Sequence, residues 1–202
     1  MKMNVKKSLS IVLVIGILVS SALNVSAMPG GEVNAEVITP DSEYYLTAEE
    51  IINGQHFSRE KIEAATANGA VILGGIDAPV SEISTTRVQV IDGQVWCRSY
   101  AAYDQEEGIS VNVELYVPWF YFAKPKFTFM SGPVTVAIAG QTTTHVCIGL
   151  ADEEETISAD VDTGRKAPSG SKGEINVVGV ARGTNIVADG AGYQLIYEIE
   201  IP

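Results

Sequence analysis

The amino-acid sequence predicts a mainly β protein, an antiparallel β-sandwich preceded by a short helical segment. Three observations support this class. From residue 84 onward apolar and polar residues alternate with a period of two, turn-forming stretches separate the alternating runs, and no helical pattern lies between them. Short strands at this spacing are typical of antiparallel sandwiches and barrels. The predicted organisation is a signal peptide at 1–27, a leader at 28–43, helices with a connecting strand at 44–83, and the sandwich at 84–202.

The N-terminus has the features of a bacterial-type secretion signal. Three lysines in the first seven residues precede an apolar stretch, and Val25-Ser26-Ala27 places small residues where signal peptidase cleaves. The apolar core at 11–19 is much shorter than the ~20 residues of a membrane-spanning helix. The sequence therefore predicts a secreted, extracellular protein with no membrane span after cleavage.

The charge of the chain excludes some classes of partner. The net charge is −12, and removing residues 1–27 takes away three lysines and no acidic residue, which makes it −15. Such a charge repels nucleic acid and anionic membranes. We therefore expect no nucleic-acid partner, and we expect one domain because the remaining length is enough for a single core.

Helix signals are confined to the region before residue 70. Thr47-Ala-Glu-Glu50 has the spacing of a capping box, and Ser58 is a suitable N-cap for a second helix that Asn68-Gly69 would end. The leader before them is rich in turn-forming residues around one short alternation at 33–38. We expect the leader to be mobile apart from an edge strand there.

The first predicted strands form a hairpin. Asp92-Gly93 is a favourable two-residue turn, which would join strands 84–91 and 94–103 and place Val88 opposite Cys97. Residues 109–117 alternate without a fault, with Ile109, Val111, Val113, Leu115 and Val117 predicted inward and Ser110, Asn112, Glu114 and Tyr116 outward. Further strands are predicted at 127–130, 134–139, 142–150, 156–161, 174–181 and 193–201, with links at 131–133, 140–141, 152–155, 163–173 and 189–190.

The two cysteines, Cys97 and Cys147, are candidates for a disulfide. Exported proteins commonly pair their cysteines, and a loop of this length would stabilise the fold by roughly 4 kcal/mol. Cys97 lies on the predicted core face. Cys147 lies opposite the apolar face formed by Thr144, Val146, Ile148 and Leu150, beside His145. Free buried thiols are the first alternative, and a Cys147–His145 catalytic dyad is the second.

Two sheets joined by a disulfide resemble the immunoglobulin domains in architecture. That family has a tryptophan about a dozen residues after its first cysteine and a tyrosine two residues before its second. In this chain the first tryptophan after Cys97 is Trp119, which is too distant, and His145 occupies the tyrosine position. The likeness is therefore to the architecture alone.

Two clusters are candidate binding sites. Trp119, Phe120, Tyr121 and Phe122 form either an exposed platform for a sugar or protein, or a cap on the core. Five acidic residues are placed where calcium could bind at a sandwich rim, and a solvated turn is the alternative. They are Asp152, Glu153, Glu154, Asp160 and Asp162. We expect no cofactor other than calcium.

Catalytic motifs are weak. Ser58 with Lys61, and Ser169 with Lys172, match the serine–lysine spacing of penicillin-recognising enzymes, but the partner motifs Ser-Asp-Asn and Lys-Thr-Gly are missing from the sequence. The sequence therefore favours a non-enzymatic, secreted binding protein whose partner is an extracellular protein or carbohydrate. A small secreted hydrolase with a loop-borne nucleophile, and a secreted toxin or inhibitor, are the alternatives.

Overall fold

The computed structural model describes residues 37–54, 56–79, 95–117, 126–184 and 191–202. The signal peptide, most of the leader, the Asp92-Gly93 turn and the aromatic run at 119–122 lie outside these residues. Within them the elements are β1 Val37–Ile38, β2 Tyr45–Leu46, α1 Ala48–Ile52, α2 Arg59–Thr66, β3 Val71–Pro79, β4 Trp96–Asp104, β5 Gly108–Tyr116, β6 Lys126–Ile138, β7 Gln141–Glu154, β8 Thr156–Arg165, β9 Lys172–Thr184 and β10 Ala191–Glu200.

The strands form two five-stranded sheets, which confirms the mainly β prediction. The first sheet has the order β1-β10-β9-β6-β7 and the second β2-β3-β4-β5-β8. Strand β1 runs parallel to β10, and the other pairs are antiparallel. The immunoglobulin-like arrangement of these sheets stays a prediction.

One hydrophobic core contains side chains from both sheets. Val113 and Leu115 enter it from β5 of the second sheet, while Val136 and Tyr197 enter it from the first. All five residues predicted to point inward from β5 and its end are buried, so that prediction is confirmed. The two inner faces therefore pack against each other, as the alternation of β5 indicated.

Strand β4 corrects the predicted hairpin. Cys97 pairs with Ala78 of β3 on one side and with Leu115 of β5 on the other. Cys97 thus has a pairing partner in each of the two neighbouring strands, and the predicted pairing of Val88 with Cys97 is wrong. The turn signal at Asp92-Gly93 is local, whereas β3, which the sequence suggested only as a connecting strand, supplies the actual partner.

Strand β6 corrects the predicted link at 131–133. The Ser-Gly-Pro sequence lies inside the continuous strand Lys126–Ile138 instead of forming a turn. A Cβ atom at Gly132 would lie 1.8 Å from the carbonyl oxygen of Val178, so glycine is needed where β9 approaches closely. The predicted link at 140–141 is confirmed in substance, because Ala139 and Gly140 have φ of 52° and 72°.

The helices pack on the outer face of the second sheet. Their apolar residues Ile51 and Ile62, with Phe57 between the helices, form a second core with Tyr100 and Ala102 of β4. The rings of Phe57 and Tyr100 meet edge to face, with 4.8 Å between their centroids. The helical segment therefore covers this outer face around β3 and β4.

The helix ends follow the sequence signals. Thr47 and Glu50 form both hydrogen bonds of the capping box, and Ser58 Oγ accepts from the backbone N–H of Lys61. The second helix ends at Thr66, and Gly69 adopts a φ of 88° just beyond it. Neither helix of the described segments has the length and apolar content needed to cross a membrane.

Candidate functional site

Strand β7 exposes three large aliphatic side chains at the edge of the first sheet. The exposed fractions are 49% for Val146, 44% for Ile148 and 77% for Leu150. Alternation along the strand places all three on the outer face. We call these three residues the aliphatic stripe.

The orientation of β7 corrects a sequence-based expectation. The sequence identifies Thr144, Val146, Ile148 and Leu150 as the apolar face of this strand, but Cys147 and Gly149, on the opposite face, are the buried residues. A Cβ atom at Gly149 would lie 3.0 Å from the carbonyl oxygen of Ser158 in β8. Because β8 lies this close, only very small residues fit on the inner side here, and the aliphatic side chains point outward.

Other apolar side chains adjoin the stripe. Residues that pair across strands lie side by side on the same face, so Leu150 neighbours Phe129, and Ile148 neighbours Ser131, which in turn neighbours Val180. The apolar region thus extends from the edge strand across the sheet. Its partly exposed members are Val37, Phe129, Pro133, Val178, Val180 and Ile196.

The outer face becomes polar toward the start of β7. Thr144 and Thr135 share a hydrogen bond of 3.0 Å between their hydroxyl oxygens. One row further, Glu174 of β9 lies directly opposite Glu198 of β10. The same face therefore has an aliphatic end and an acidic end.

The neighbouring basic group is already paired at the acidic end. Lys172 Nζ lies 3.6 Å from a carboxylate oxygen of Glu200, and both side chains are largely exposed. Among the contacts of the described residues, Glu174 and Glu198 have no ion pair. Like charges directly opposite each other in a sheet are destabilising.

The two cysteines are free and buried in the structure, so the predicted disulfide is not formed. Burial raises the pKa of the Cys97 thiol, with smaller contributions from Cys147 and Asp77. Burial and the charge of Asp160 raise the pKa of the Cys147 thiol to about 12. Both groups are therefore neutral and shielded at neutral pH, as the free-thiol alternative predicts.

The predicted calcium ligands lie on two strands. Asp152, Glu153 and Glu154 are exposed at the end of β7, while Asp160 and Asp162 belong to β8. Asp160 accepts a 2.8 Å hydrogen bond from the Asn112 amide, and Asp162 accepts one of 3.0 Å from a backbone N–H. Among the described residues no three His, Cys, Asp or Glu side chains form a group that could hold a metal ion. Calcium binding stays a prediction.

A charged network lies under the helices on the second sheet. Glu114, predicted to point into solvent, is only 3% exposed and pairs with both Lys61 of α2 and Arg98 of β4. The Arg98 guanidinium also lies 4.4 Å from the ring centroid of Tyr116. The alternation predicted the face of Glu114 correctly, but it could not show that α2 covers this face.

The network continues to a histidine. Asp77 accepts a 2.7 Å hydrogen bond from the Tyr116 hydroxyl and lies 2.8 Å from His56 Nδ1. Burial and the hydrogen bond to Asp77 raise the pKa of Tyr116. A histidine oriented by a carboxylate is one part of a hydrolytic site, but the described contacts of His56 include no nucleophile.

Comparisons of this chain with known protein families, with curated proteins and with solved structures find no match. The candidate site is therefore defined by its own geometry: an exposed face with an aliphatic end and an acidic end.

Proposed function

We propose that this protein is a secreted, non-enzymatic binding protein that contacts another protein through the outer face of its first sheet. The exposure of Val146, Ile148 and Leu150 on strand β7 carries the proposal. Contiguous apolar surface on a soluble protein is typical of interaction sites, whereas single exposed apolar residues are ordinary.

The energy available from this face is sufficient for specific binding. Full burial of one valine, leucine or isoleucine side chain contributes roughly 1.5–3 kcal/mol. Strands β7, β6, β9 and β10 present a face of roughly 20 by 30 Å, from strand spacings of about 4.8 Å and rises of about 3.3 Å per residue. That area approaches the ~800 Å² per partner of a standard interface.

The side chains of the face favour a protein partner over a carbohydrate. Sugar recognition commonly uses flat aromatic rings, while the stripe consists of branched aliphatic side chains that pack well against other aliphatic groups. The carbohydrate alternative depends on Trp119, Phe120, Tyr121 and Phe122, which lie outside the described residues. It stays a prediction, as does the calcium site.

A toxin or inhibitor would also act by binding, so that alternative is compatible with the same surface. The hydrolase alternative has the His56–Asp77 pair in its favour and needs a nucleophile beside it. We infer an extracellular location from the predicted signal peptide, and the aliphatic face then meets proteins outside the cell.

A matched pair of isoleucines provides the test. Ile148 on the stripe is 44% exposed and Ile52 on α1 is 56% exposed, so both can be replaced by serine with little loss of stability. Proteins captured from extracellular medium by the immobilised chain should bind Ile148→Ser at least tenfold more weakly, whereas Ile52→Ser should bind them normally. A tenfold loss corresponds to ~1.4 kcal/mol, within the range of a moderate hot spot.

Two results would argue against the proposal. Equal binding by both variants would show that the partner contacts another surface. Hydrolysis of an extracellular ester or peptide that is abolished by His56→Ala and unaffected by Ile148→Ser would support the hydrolase instead.

A further inference from the structure

The acidic end of the outer face indicates which protein surfaces can dock there. A cavity of about 350 Å³ opens beside it and is lined by residues of both sheets. Tyr45 of β2 and Leu73 of β3 line it from the second sheet, and Glu174, Glu198 and Ile199 line it from the first. The cavity therefore combines carboxylates with an aromatic ring and aliphatic side chains.

Neither of the two glutamates forms an ion pair with another of the described residues. Glu174 and Glu198 are cross-strand neighbours, and Lys172, the basic residue at this cavity, pairs with Glu200. A cationic group placed between the two carboxylates would remove their mutual repulsion. A positively charged group is therefore the best electrostatic complement to the acidic end.

The other lining residues favour a basic side chain over a bare metal ion. A Cβ atom at Gly74 would lie 2.4 Å from the Tyr45 hydroxyl, so the Tyr45 ring is packed against the backbone of β3. The ring, Leu73 and Ile199 offer apolar contacts. Lysine and arginine have an apolar stem and a charged head, and they use both when they bind along such surfaces.

The face therefore has two complementary parts at a fixed separation. The acidic row and the row of Val146 are four residues apart along the strands, and Glu198 is three strands away from β7. Strand geometry places them roughly 20 Å from each other. A second copy of this chain would have the same net charge of −12, so self-association is disfavoured by charge.

We infer that the partner is a different protein, with an aliphatic patch that covers the stripe and a lysine or arginine that enters the cavity between Glu174 and Glu198. This inference rests on the proposed function, since it specifies the partner of the same face. Charge complementarity of this kind speeds association and rejects partners that lack the basic group.

The charge of the cavity can be tested with small molecules. The probe is N-acetyl-lysine methylamide, and the control probe is the uncharged norleucine derivative of nearly the same length. In NMR titrations of the isotope-labelled protein, the lysine probe should shift the amide resonances of Gly173 and Glu198 with an affinity at least tenfold higher than norleucine. The double variant Glu174→Gln, Glu198→Gln should lose this preference, and the exposed control Glu107→Gln should keep it.

Specific outcomes would overturn the inference. They are equal binding of the two probes, displacement of the lysine probe by calcium chloride at the same concentration, and unchanged binding by the double variant. A dimer in sedimentation experiments that Ile148→Ser dissociates would also overturn it, because the face would then bind a second copy.

The inference and the proposed function can fail separately. If the captured partner requires Ile148 but binds the double glutamine variant with unchanged affinity, the basic group is wrong and the function stands. If the lysine probe binds as expected while no captured protein distinguishes Ile148→Ser from Ile52→Ser, the cavity recognises a cation but the stripe is not the partner's docking surface.

Discussion

The outer faces of the two sheets differ in a way that their side chains alone would not predict: one is charged but buried, and the other is aliphatic but exposed. The outer face of the second sheet contains Glu114 and Arg98, yet the helices cover it and Glu114 is almost fully buried. The outer face of the first sheet contains Val146, Ile148 and Leu150, yet these side chains are in solvent. In this protein the packing of neighbouring elements, and not the polarity of a strand, decides which face is buried.

The two outer faces differ in what compensates for the cost of their side chains. A buried carboxylate is tolerated because two cations and a packed helix compensate for its lost hydration. Among the described residues, the exposed aliphatic side chains of β7 have no comparable compensation. The covered face therefore maintains the fold, and the uncovered face is the one that we propose for a partner.

The largest expected effect is the difference in stability between an alanine variant of a core leucine and one of a leucine in the aliphatic stripe. Leu115 is 1% exposed and Leu150 is 77% exposed. Leu115→Ala should lower the free energy of unfolding by about 2–5 kcal/mol, because it leaves a cavity in the core. Leu150→Ala should change it by less than about 0.5 kcal/mol. Urea unfolding of both variants measures the difference, and similar losses at the two positions would show that the stripe is covered.

The covered face should depend strongly on its arginine. Arg98→Met leaves the buried Glu114 with only Lys61 and removes the contact with the Tyr116 ring. We expect the free energy of unfolding to decrease by about 3 kcal/mol. This value is at the lower end of the range for breaking a buried ion pair, because Lys61 still compensates for the charge of Glu114 in part.

The control for this prediction is an exposed pair on α2. Arg59 and Glu63 pair with side chains that are 89% and 63% exposed. Arg59→Met should cost no more than about 0.5 kcal/mol, as is usual for surface ion pairs. If Arg98→Met and Arg59→Met destabilise the protein equally, the network under the helices does not maintain the fold.

Much of the strand pattern was predictable because it is local. The strands at 142–150, 156–161, 174–181 and 193–201 lie within β7 to β10, and the capping box at Thr47 is present as predicted. Each of these depends on neighbouring residues alone. The alternation of hydrophobic residues in β5 also identified its core-facing side correctly.

The errors arose where distant elements approach each other. The direction in which β7 faces depends on the closeness of β8 to Gly149, and the strand through Gly132 depends on the closeness of β9. The burial of Glu114 depends on α2, whose Lys61 is 53 residues earlier in the chain. A single sequence contains no local signal for such contacts, so the aliphatic stripe and the charged network were both missed.

High pH should affect the covered face and the core while sparing the stripe. Burial, with smaller effects of Asp160 and Glu114, raises the pKa of Tyr100 from 10.0 to about 12, and that of Cys147 rises from 9.0 to about 12. Because both groups ionise first in the unfolded chain, their contribution to stability is intact below about pH 9 and is lost as the pH rises toward 12. The urea concentration at the midpoint of unfolding should therefore decrease as the pH is raised from 9 to 12.

Variants can show which side chains cause this loss of stability at high pH. The double variant Tyr100→Phe, Cys147→Ala should have a smaller decrease between pH 9 and pH 12 than the natural protein, whereas Leu150→Ala should keep the full decrease. In the native protein, both thiols should resist labelling at pH 8 and become reactive in denaturant. An unchanged pH slope in the double variant would show that other groups are responsible.

The smallest expected effect concerns the attachment of the helical cover. Thr47 caps α1, and its backbone N–H donates a 2.9 Å hydrogen bond to a carboxylate oxygen of Glu50. Thr47→Ala should reduce stability by about 1 kcal/mol, and Thr47→Ser should retain most of it, because serine supplies the same acceptor. Hydrogen exchange should localise the change. We expect faster exchange in α1 and at the edge of β3, which contacts it, with no change in the amides of β7. Faster exchange in β7 would mean that the two outer faces are energetically coupled, and the helical cover would then also influence the face that we propose for partner binding.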